Sequence, residues 1–387
     1  MNKNDNVTYL AGVKNVSTCP FVPYDDLLCE FLNDLSSDLR SSEESSAFPD
    51  VMAFAFWCRK GNIAKLKTDF KKNGEVRLGL GVLFHIAPSN VPVNFAFSFV
   101  FGLLSGNANI VRVPSKPFPQ IGIICAAIDR LFATDKYREI KAMTALIRYE
   151  QNDEITSMFS ANCNARLIWG GDLTIRNIRK LAVQERCVDI AFSDRYSLCV
   201  IDAPSLIELN DTELTKLSEK FYNDTYLMDQ NACSSPHLIV WQGAEKEVAK
   251  ERFWTEVYHT VGEKYQLAAV SAVDKYTLLC KNAIELNNIK SFKQHSNYVY
   301  RVAVDKMIDN IDEFRGKFGY FFEYDTNDIN CIAHIINNKY QTLTYFGVDK
   351  SKLLNFIVKN RLSGIDRIVP IGKALDMDII WDGYDLM

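Results

Sequence analysis

The sequence predicts an α/β protein of two domains, each a mainly parallel sheet with helices on both faces. Three observations predict it. The chain has 387 residues, too long for one simple core at about 150 residues per domain. From residue 79, short apolar runs alternate with helical patterns through turn clusters, the mark of strand–helix–strand units. A second alternation of the same kind begins at Leu198.

The elements follow in order. Leu27, Leu28, Phe31, Leu32 and Leu35 recur at helical spacing, so 24–39 reads as an amphipathic helix, and Ser41 to Ser46 reads as a polar loop. Gly81 to Ala87 is a strand-like run that ends in the turn cluster Pro88-Ser89-Asn90. Val93 to Leu104 reads as a buried helix stopped by Ser105-Gly106-Asn107. Ala108 to Val113 is strand-like and Pro119 to Ala133 helical. Arg166 to Trp169 is a strand closed by Gly170-Gly171, after which Asp172 reads as the cap of a helix carrying Leu173, Ile175, Ile178 and Leu181. In the second half come a strand at Leu198 to Ile201, a helix over 211–224, a loop carrying Cys233, a strand over 238–241 and a helix over 244–262. No proline- or glycine-rich linker separates the halves. The boundary is expected near 197, giving segments 1–197, 198–363 and 364–387.

Composition narrows the function. Hydrophobic residues at 48% and charged residues at 24% fit a soluble globular protein. A net charge of −4 carries no basic footprint and argues against nucleic acid as a main partner. The most apolar segment, Val91 to Leu104, carries Asn94 and Ser98 and is about 14 residues long, against the ~20 that a membrane span needs. The start, Met1 to Asn6, is polar with no apolar run behind it, so no signal peptide is expected. The ten cysteines are scattered, with no C-x-x-C pair and no histidine at ligand spacing. That pattern disfavours a zinc site and fits a reducing cytoplasm.

Three patches carry candidate chemistry. Cys233 lies among polar and small residues just ahead of the apolar run Leu238-Ile239-Val240-Trp241. It reads either as a nucleophile for acyl chemistry or as one more small buried hydrophobe, and cysteine taken alone favours burial. Asn90 sits in the turn after a strand. Its amide can donate to a developing oxyanion, or it can cap the next helix. Gly170-Gly171-Asp172 lies at a strand–helix junction, where backbone can approach a phosphate closely. The G-x-G-x-x-G fingerprint is absent, and a plain tight turn is the competing reading. None of the five histidines has a spacing that demands a role, and His237 reads as the start of a strand rather than a base for Cys233.

Taken together, these patches resemble the aldehyde dehydrogenase superfamily. The resemblance rests on Pro88-Ser89-Asn90-Val91-Pro92, then Gly102 to Val111, Pro114-Ser115, Trp169-Gly170-Gly171 and Asn231-Ala232-Cys233, in the superfamily's order. The LuxC-type acyl-CoA reductase branch is more similar still. It shares Leu103 to Val111, Asp229 to Cys233, Gln341-Thr342-Leu343 and the tail Gly364 to Gly372, continuing to Trp381-Asp382-Gly383-Tyr384-Asp385. The likeness spans about residue 75 to the C-terminus.

This resemblance implies two Rossmann-like three-layer domains with parallel sheets. Segment 1–197 would be the cofactor domain with an N-terminal helical part, and 198–363 the catalytic domain. Segment 364–387 would return to the first domain or pair across subunits of a homo-oligomer. It implies an acyl-CoA or other acyl thioester as substrate, Cys233 as nucleophile and Asn90 as oxyanion donor. The cofactor residues would be Pro88, Ser115, Lys116, Gly170 and Gly171, with no metal. An acyl-protein ligase or synthetase is the implied partner, and fatty aldehyde the product.

Two departures shape the expected reaction. Phe192 stands where hydrolytic relatives carry the glutamate that activates water, which favours acyl-CoA reduction over acid formation. Lys116 stands where an acidic residue often binds the adenine ribose, and Ser115 with Lys116 can accept a 2′-phosphate, which favours NADPH, with NADH possible; the competing reading of Lys116 is a solvated loop lysine. The competing readings are a non-acylating NAD(P)-dependent aldehyde dehydrogenase and a non-catalytic paralogue that presents acyl groups.

Overall fold

The computed structural model describes residues 6–71 and 77–386. Of the polar start, Met1 to Asp5 lie outside the described residues. The chain divides into two compact units, Met1–Asp194 with Asp378–Met387, and Arg195–Met377. Each is an α/β unit with a mainly parallel sheet.

Among the described residues, the main sheet of the first unit has six strands: β1 Thr8–Gly12, β2 Val82–Ile86, β3 Ala108–Arg112, β4 Thr144–Arg148, β5 Ala165–Trp169 and β6 Val188–Phe192. Their order is β1-β4-β3-β2-β5-β6. Strands β2 to β6 are parallel, and β1 adds an antiparallel edge on β4. The chain steps from β2 outward to β3 and β4, then returns to place β5 and β6 on the other side of β2. That reversal creates a switch point between β2 and β5, the place where open α/β sheets receive ligands at their carboxyl ends. Both sheet faces are covered: Val82, Phe84 and Ile86 pack with Ile110 and Ile168 on one, and Leu83 packs with Ala165 and Leu167 on the other. Burial on two faces explains why these strands read as continuous apolar runs rather than alternating ones.

The helix Asp26–Ser41 forms where the spacing predicts it. Asp25 caps it by accepting from the Leu27 N–H, and Leu28, Phe31, Leu32 and Leu35 are buried. The expected loop at Ser41 to Ser46 is instead a one-turn helix, Glu43–Ser46. Ser42 accepts from the Ser45 N–H, and two glutamates occupy the positive first turn. The helix Asn94–Leu104 is buried from Phe95 to Leu104, so it shows no amphipathic stripe. The tail hairpin Ile380–Trp381 with Tyr384–Asp385 turns through Asp382 (φ 53°) and Gly383 (φ 79°), the left-handed pair that a tight hairpin needs.

The second unit holds seven strands: β7 Tyr196–Asp202, β8 Pro236–Gln242, β9 Ile289–His295, β10 Val299–Val304, β11 Tyr320–Asp325, β12 Tyr340–Phe346 and β13 Arg367–Pro370. Their order is β13-β12-β7-β8-β11-β10-β9, all parallel except β9. Alternate residues of β7 feed two cores. Tyr196, Leu198 and Val200 join Leu238 and Leu343 on one face, while Cys199 and Ile201 join Trp241 and Trp254 on the other. The helix Asp211–Thr225 opens on a capping box between Asn210 and Glu213. The helix expected over 244–262 runs Lys246–Lys264. Among the described residues, no helix is long and apolar enough to cross a membrane.

Candidate active site

In the first unit, the sequence-selected residues gather along one edge of the sheet. Pro88 and Asn90 follow the carboxyl end of β2, Ser115 and Lys116 follow β3, and Gly170 and Gly171 follow β5. These are three neighbouring strands at the switch point. Gly171 is the N-cap of the helix Asp172–Arg179 and makes no side-chain cap bond. The expected capping role of Asp172 is therefore corrected: Asp172 is the first helical residue, and no side chain caps the turn. A side chain at 171 would meet open space, so a phosphate could approach this helix start. Ser115 Oγ donates to the Tyr149 carbonyl at 3.2 Å, and Lys116 is exposed with its ammonium 4.9 Å from the Phe118 ring. The donor set and the topology fit a dinucleotide.

Asn90 is exposed, and its competing role as a cap is excluded. The next helix begins at Asn94, with Val93 as N-cap and no side-chain cap bond. Behind this edge runs a buried chain of hydrogen bonds. Trp169 Nε1 donates to Ser98 Oγ at 3.0 Å, and Ser98 Oγ lies 2.8 Å from His85 Nδ1. His85 Nε2 lies 3.0 Å from Asn109 Oδ1, and Asn109 Nδ2 donates to the Asn107 carbonyl. Because Asn109 Oδ1 can only accept, Nε2 carries the imidazole proton and Nδ1 accepts from the Ser98 hydroxyl. Burial pushes the His85 imidazole down to about 4, so it is neutral. Gly102 lets its helix approach this chain: a Cβ there would lie 2.0 Å from Asn109 Oδ1. His85 is thus a structural residue that fixes the ends of β2 and β5. Phe192 ends β6 with its ring stacked on Trp169 at a centroid distance of 3.7 Å. Its position offers no carboxylate.

In the second unit, Cys233 sits half-buried in the turn between the helical turn Tyr226–Met228 and β8. Four other cysteines, Cys58, Cys125, Cys163 and Cys199, are buried, and burial pushes each thiol up, which makes them inert. The loop before Cys233 is strained and heavily braced. Asp229 (φ 53°) and Gln230 (φ 58°) are consecutive left-handed residues, a conformation costing L-residues about 1–2 kcal/mol each. The Gln230 side chain is buried and fully used. Its Nε2 donates to the Pro236 and Tyr320 carbonyls, and its Oε1 accepts from the Gly319 and Tyr320 N–H groups. Tyr265 Oη donates to Asp229 Oδ1, and the Phe318 N–H donates to the Asp229 carbonyl. Ser235 Oγ donates to the Asp224 carbonyl. Strain held by so many bonds makes this turn a candidate functional element rather than a spacer.

Cys233 lies at the amino ends of β7, β8 and β12, the edge opposite to the usual ligand crevice of a parallel sheet. Both strand pairings slip there. Between Tyr340 and Leu343, β12 has one residue more than β7, and between Pro236 and Leu238, β8 has one more than β7. Such bulges re-aim side chains beside active sites. Here they bring Gln341 Nε2 to 3.4 Å from Cys233 Sγ, while Gln341 Oε1 accepts from the Thr342 hydroxyl. Ser197 Oγ donates to the Cys233 carbonyl at 2.7 Å and accepts the Thr342 N–H at 3.1 Å. His237 begins β8, as its position suggests. It is buried, its ring stacks on Tyr196, and burial pushes it down to about 3, so it offers no base.

The structure therefore gathers Pro88, Asn90, Ser115, Lys116, Gly170 and Gly171 on one sheet edge of the first unit, and sets Cys233 in a braced turn of the second. Sequence reasoning missed Gln341 and Ser197 as site residues. The run Gln341-Thr342-Leu343 stood out only as a family mark.

The comparisons with known proteins agree with this architecture. A family model described as acyl-CoA reductase (LuxC) matches residues 66–386. Among curated proteins, no sequence matches significantly. A NAD-dependent benzaldehyde dehydrogenase from Corynebacterium glutamicum is similar in structure, with a TM-score of 0.63 and 15% identity over 90% of this chain and 81% of that one. A NAD-dependent aldehyde dehydrogenase from Sinorhizobium meliloti aligns with a TM-score of 0.64 and 11% identity, over 93% and 77%. A glyceraldehyde-3-phosphate dehydrogenase from Methanocaldococcus jannaschii, solved with NADP, aligns with a TM-score of 0.60 and 15% identity, over 92% and 82%. At such identities these likenesses show an aldehyde-dehydrogenase-like fold, while the match over most of the sequence shows the family: the chain belongs to the LuxC acyl-CoA reductase family.

Proposed function

We propose that this protein reduces an acyl thioester to an aldehyde through an acyl-cysteine at Cys233. Family and fold support an oxidoreductase acting on aldehydes or acyl-CoA. The observation that carries the finer reading is the presentation of Cys233: a half-buried thiol on a strained, braced turn, with an amide donor beside its sulfur. In this reading the Cys233 sulfur attacks the thioester carbonyl, the carbonyl pair moves to oxygen, and collapse expels the CoA thiolate. Dividing the reaction this way replaces one hard step with two easier ones. A bound nicotinamide cofactor supplies the hydride that reduces the acyl group.

Asn90 serves as oxyanion donor, a role whose loss typically costs about 10²- to 10³-fold in rate. Pro88, Ser115, Lys116, Gly170 and Gly171 hold the cofactor. The exposed Lys116 beside Ser115 favours NADPH over NADH. Phe192, with its ring stacked on Trp169, leaves the thioester without the water-activating carboxylate of hydrolytic relatives. Ten free thiols fit a reducing compartment, the cytoplasm. A homo-oligomer and an acyl-protein ligase partner belong to the same reading.

The test is covalent labelling. The purified protein is incubated with radiolabelled fatty acyl-CoA and no reductant. Label should attach, be released by hydroxylamine, and be absent in Cys233→Ala. Labelling retained in that variant would place the nucleophile elsewhere. NADPH should then discharge the label as aldehyde, and discharge as free acid would support a non-acylating dehydrogenase instead. A panel of chain lengths, read by NADPH consumption, defines the acyl group.

A further inference from the structure

The braced turn gives Cys233 no base from His237, four residues on. His237, its nearest histidine in sequence, faces the core and stacks on Tyr196. A cysteine that attacks as thiolate and leaves as thiolate needs its negative charge held by something else. Gln341 is placed to do that. It is fully buried, and its amide is oriented by the Thr342 hydroxyl, which donates to Oε1 and so turns Nε2 toward Cys233 Sγ at 3.4 Å. The extra residue in β12 at this point is what frees Gln341 from the regular strand alternation.

We propose that Gln341 is a catalytic residue that donates an N–H···S hydrogen bond to the Cys233 thiolate, both before acyl transfer and as the thiolate is re-formed. This assignment rests on the reading of Cys233 as the acyl-accepting nucleophile and adds the group that stabilises it. In the attack, the sulfur lone pair becomes the S–C bond and the Gln341 amide loses a charged acceptor for a neutral thioester sulfur. In the last step, once the acyl carbon has taken the hydride that a bound nicotinamide would supply, its oxygen carries the negative charge. The oxygen pair re-forms C=O, the C–S bond breaks, and its electron pair returns to Sγ, which accepts the Gln341 N–H. No general acid is needed at the sulfur. Hydrogen bonds to charged partners are about twice as strong as neutral ones, so the donor favours thiolate over thiol and thioester alike.

The test uses the full chain without acyl donor or cofactor. Alkylation of Cys233 by iodoacetamide is followed by mass spectrometry of its peptide from pH 5.5 to 10, in the natural protein and in Gln341→Leu and Gln341→Glu. The expected result is a midpoint about one pH unit higher in Gln341→Leu. Its alkylation should be roughly tenfold slower near pH 7, and its rate at high pH unchanged. Gln341→Glu, which keeps size and polarity but replaces the donor with an acceptor, should shift the midpoint further up, and it serves where the leucine variant folds poorly. Rates that change equally at all pH values, or a midpoint that ignores both substitutions, would overturn the assignment. The outcomes separate from those of the labelling experiment. A midpoint that depends on Gln341 in a protein that takes no acyl group defeats the proposed reaction alone. Acylation at Cys233 with a midpoint indifferent to Gln341 defeats this inference alone.

Discussion

Ser197 Oγ donates to the Cys233 carbonyl at 2.7 Å while accepting the Thr342 N–H at 3.1 Å, so one buried hydroxyl joins the candidate nucleophile's backbone to the start of β12. The extra residues in β8 and β12 prevent an ordinary strand bond at this point, and the hydroxyl replaces it. Ser197→Ala leaves the Thr342 N–H buried without its acceptor. That is expected to lower the unfolding free energy by about 1–3 kcal/mol. It should also loosen the position of Gln341 relative to Cys233. Urea denaturation checks the first effect, and a fall in acyl-labelling rate larger than that of a surface control such as Ser37→Ala checks the second.

Gln230 bears the strained turn more directly. Its amide satisfies two carbonyls and two N–H groups. Gln230→Met keeps the volume and removes all four bonds. The expected cost is about 3 kcal/mol or more, since each buried group left unpaired costs ~1–3 kcal/mol and the effects overlap. The two left-handed residues would then relax, so Cys233 alkylation should lose its uniform rate and become biphasic or faster. An unchanged denaturation midpoint would contradict the bracing role.

The two neutral buried histidines set an acid limb. Burial depresses His85 to about 4 and His237 to about 3, from an ordinary value of 6.5. In the unfolded chain both gain a proton near 6.5, and in the folded chain they resist it. Their contribution is therefore fully present above pH 6.5 and is lost as pH falls towards the folded values, by roughly 1.4 kcal/mol for each unit of depression per residue. His237 Nδ1 has no hydrogen-bond partner among the described residues, and the ring's one bond is to the Gly316 backbone, so phenylalanine keeps the ring packing and gives up that single bond. His237→Phe should lower stability near pH 7.5 by about 1–3 kcal/mol for the lost Gly316 bond and flatten its fall between pH 6.5 and 4. Urea midpoints at four pH values decide it, and an unaltered slope would refute it.

What the sequence shows and what it hides follow from physical range. Leu198 to Ile201 and Leu238 to Trp241 are legible as strands because burial on both faces demands unbroken apolar runs. Asn90 is legible as a candidate because its turn follows a strand, yet only the structure removes the capping alternative. Strand β1 is missed because Thr8 to Gly12 is short and earns its conformation from pairing with β4, far along the chain. Gln341 is missed for a related reason. It meets Cys233 across 108 residues, and its direction is set by a register slip between strands, which has no local signature.

Lys116 provides the test of cofactor choice. It is exposed just past β3, beside Ser115, on the sheet edge that also carries Gly170 and Gly171. The Ser115 hydroxyl is held by the Tyr149 carbonyl, which fixes the turn, while the Lys116 ammonium rests on the Phe118 ring, with no carboxylate partner among the described residues to compete for it. A 2′-phosphate arriving there gains a charge-assisted bond, worth about 1.5–3 kcal/mol, part of which solvent screening removes at an exposed site. Lys116→Ala is therefore expected to weaken NADPH binding about tenfold and leave NADH binding within a factor of two. Lys116→Glu should reverse the preference, because the carboxylate repels the phosphate and can accept from the ribose hydroxyls of NADH. Nicotinamide fluorescence titrations at low and at raised salt read both effects, and the NADPH advantage should shrink with salt in the natural protein. Equal losses for the two cofactors would show that Lys116 shapes the turn rather than reading the phosphate.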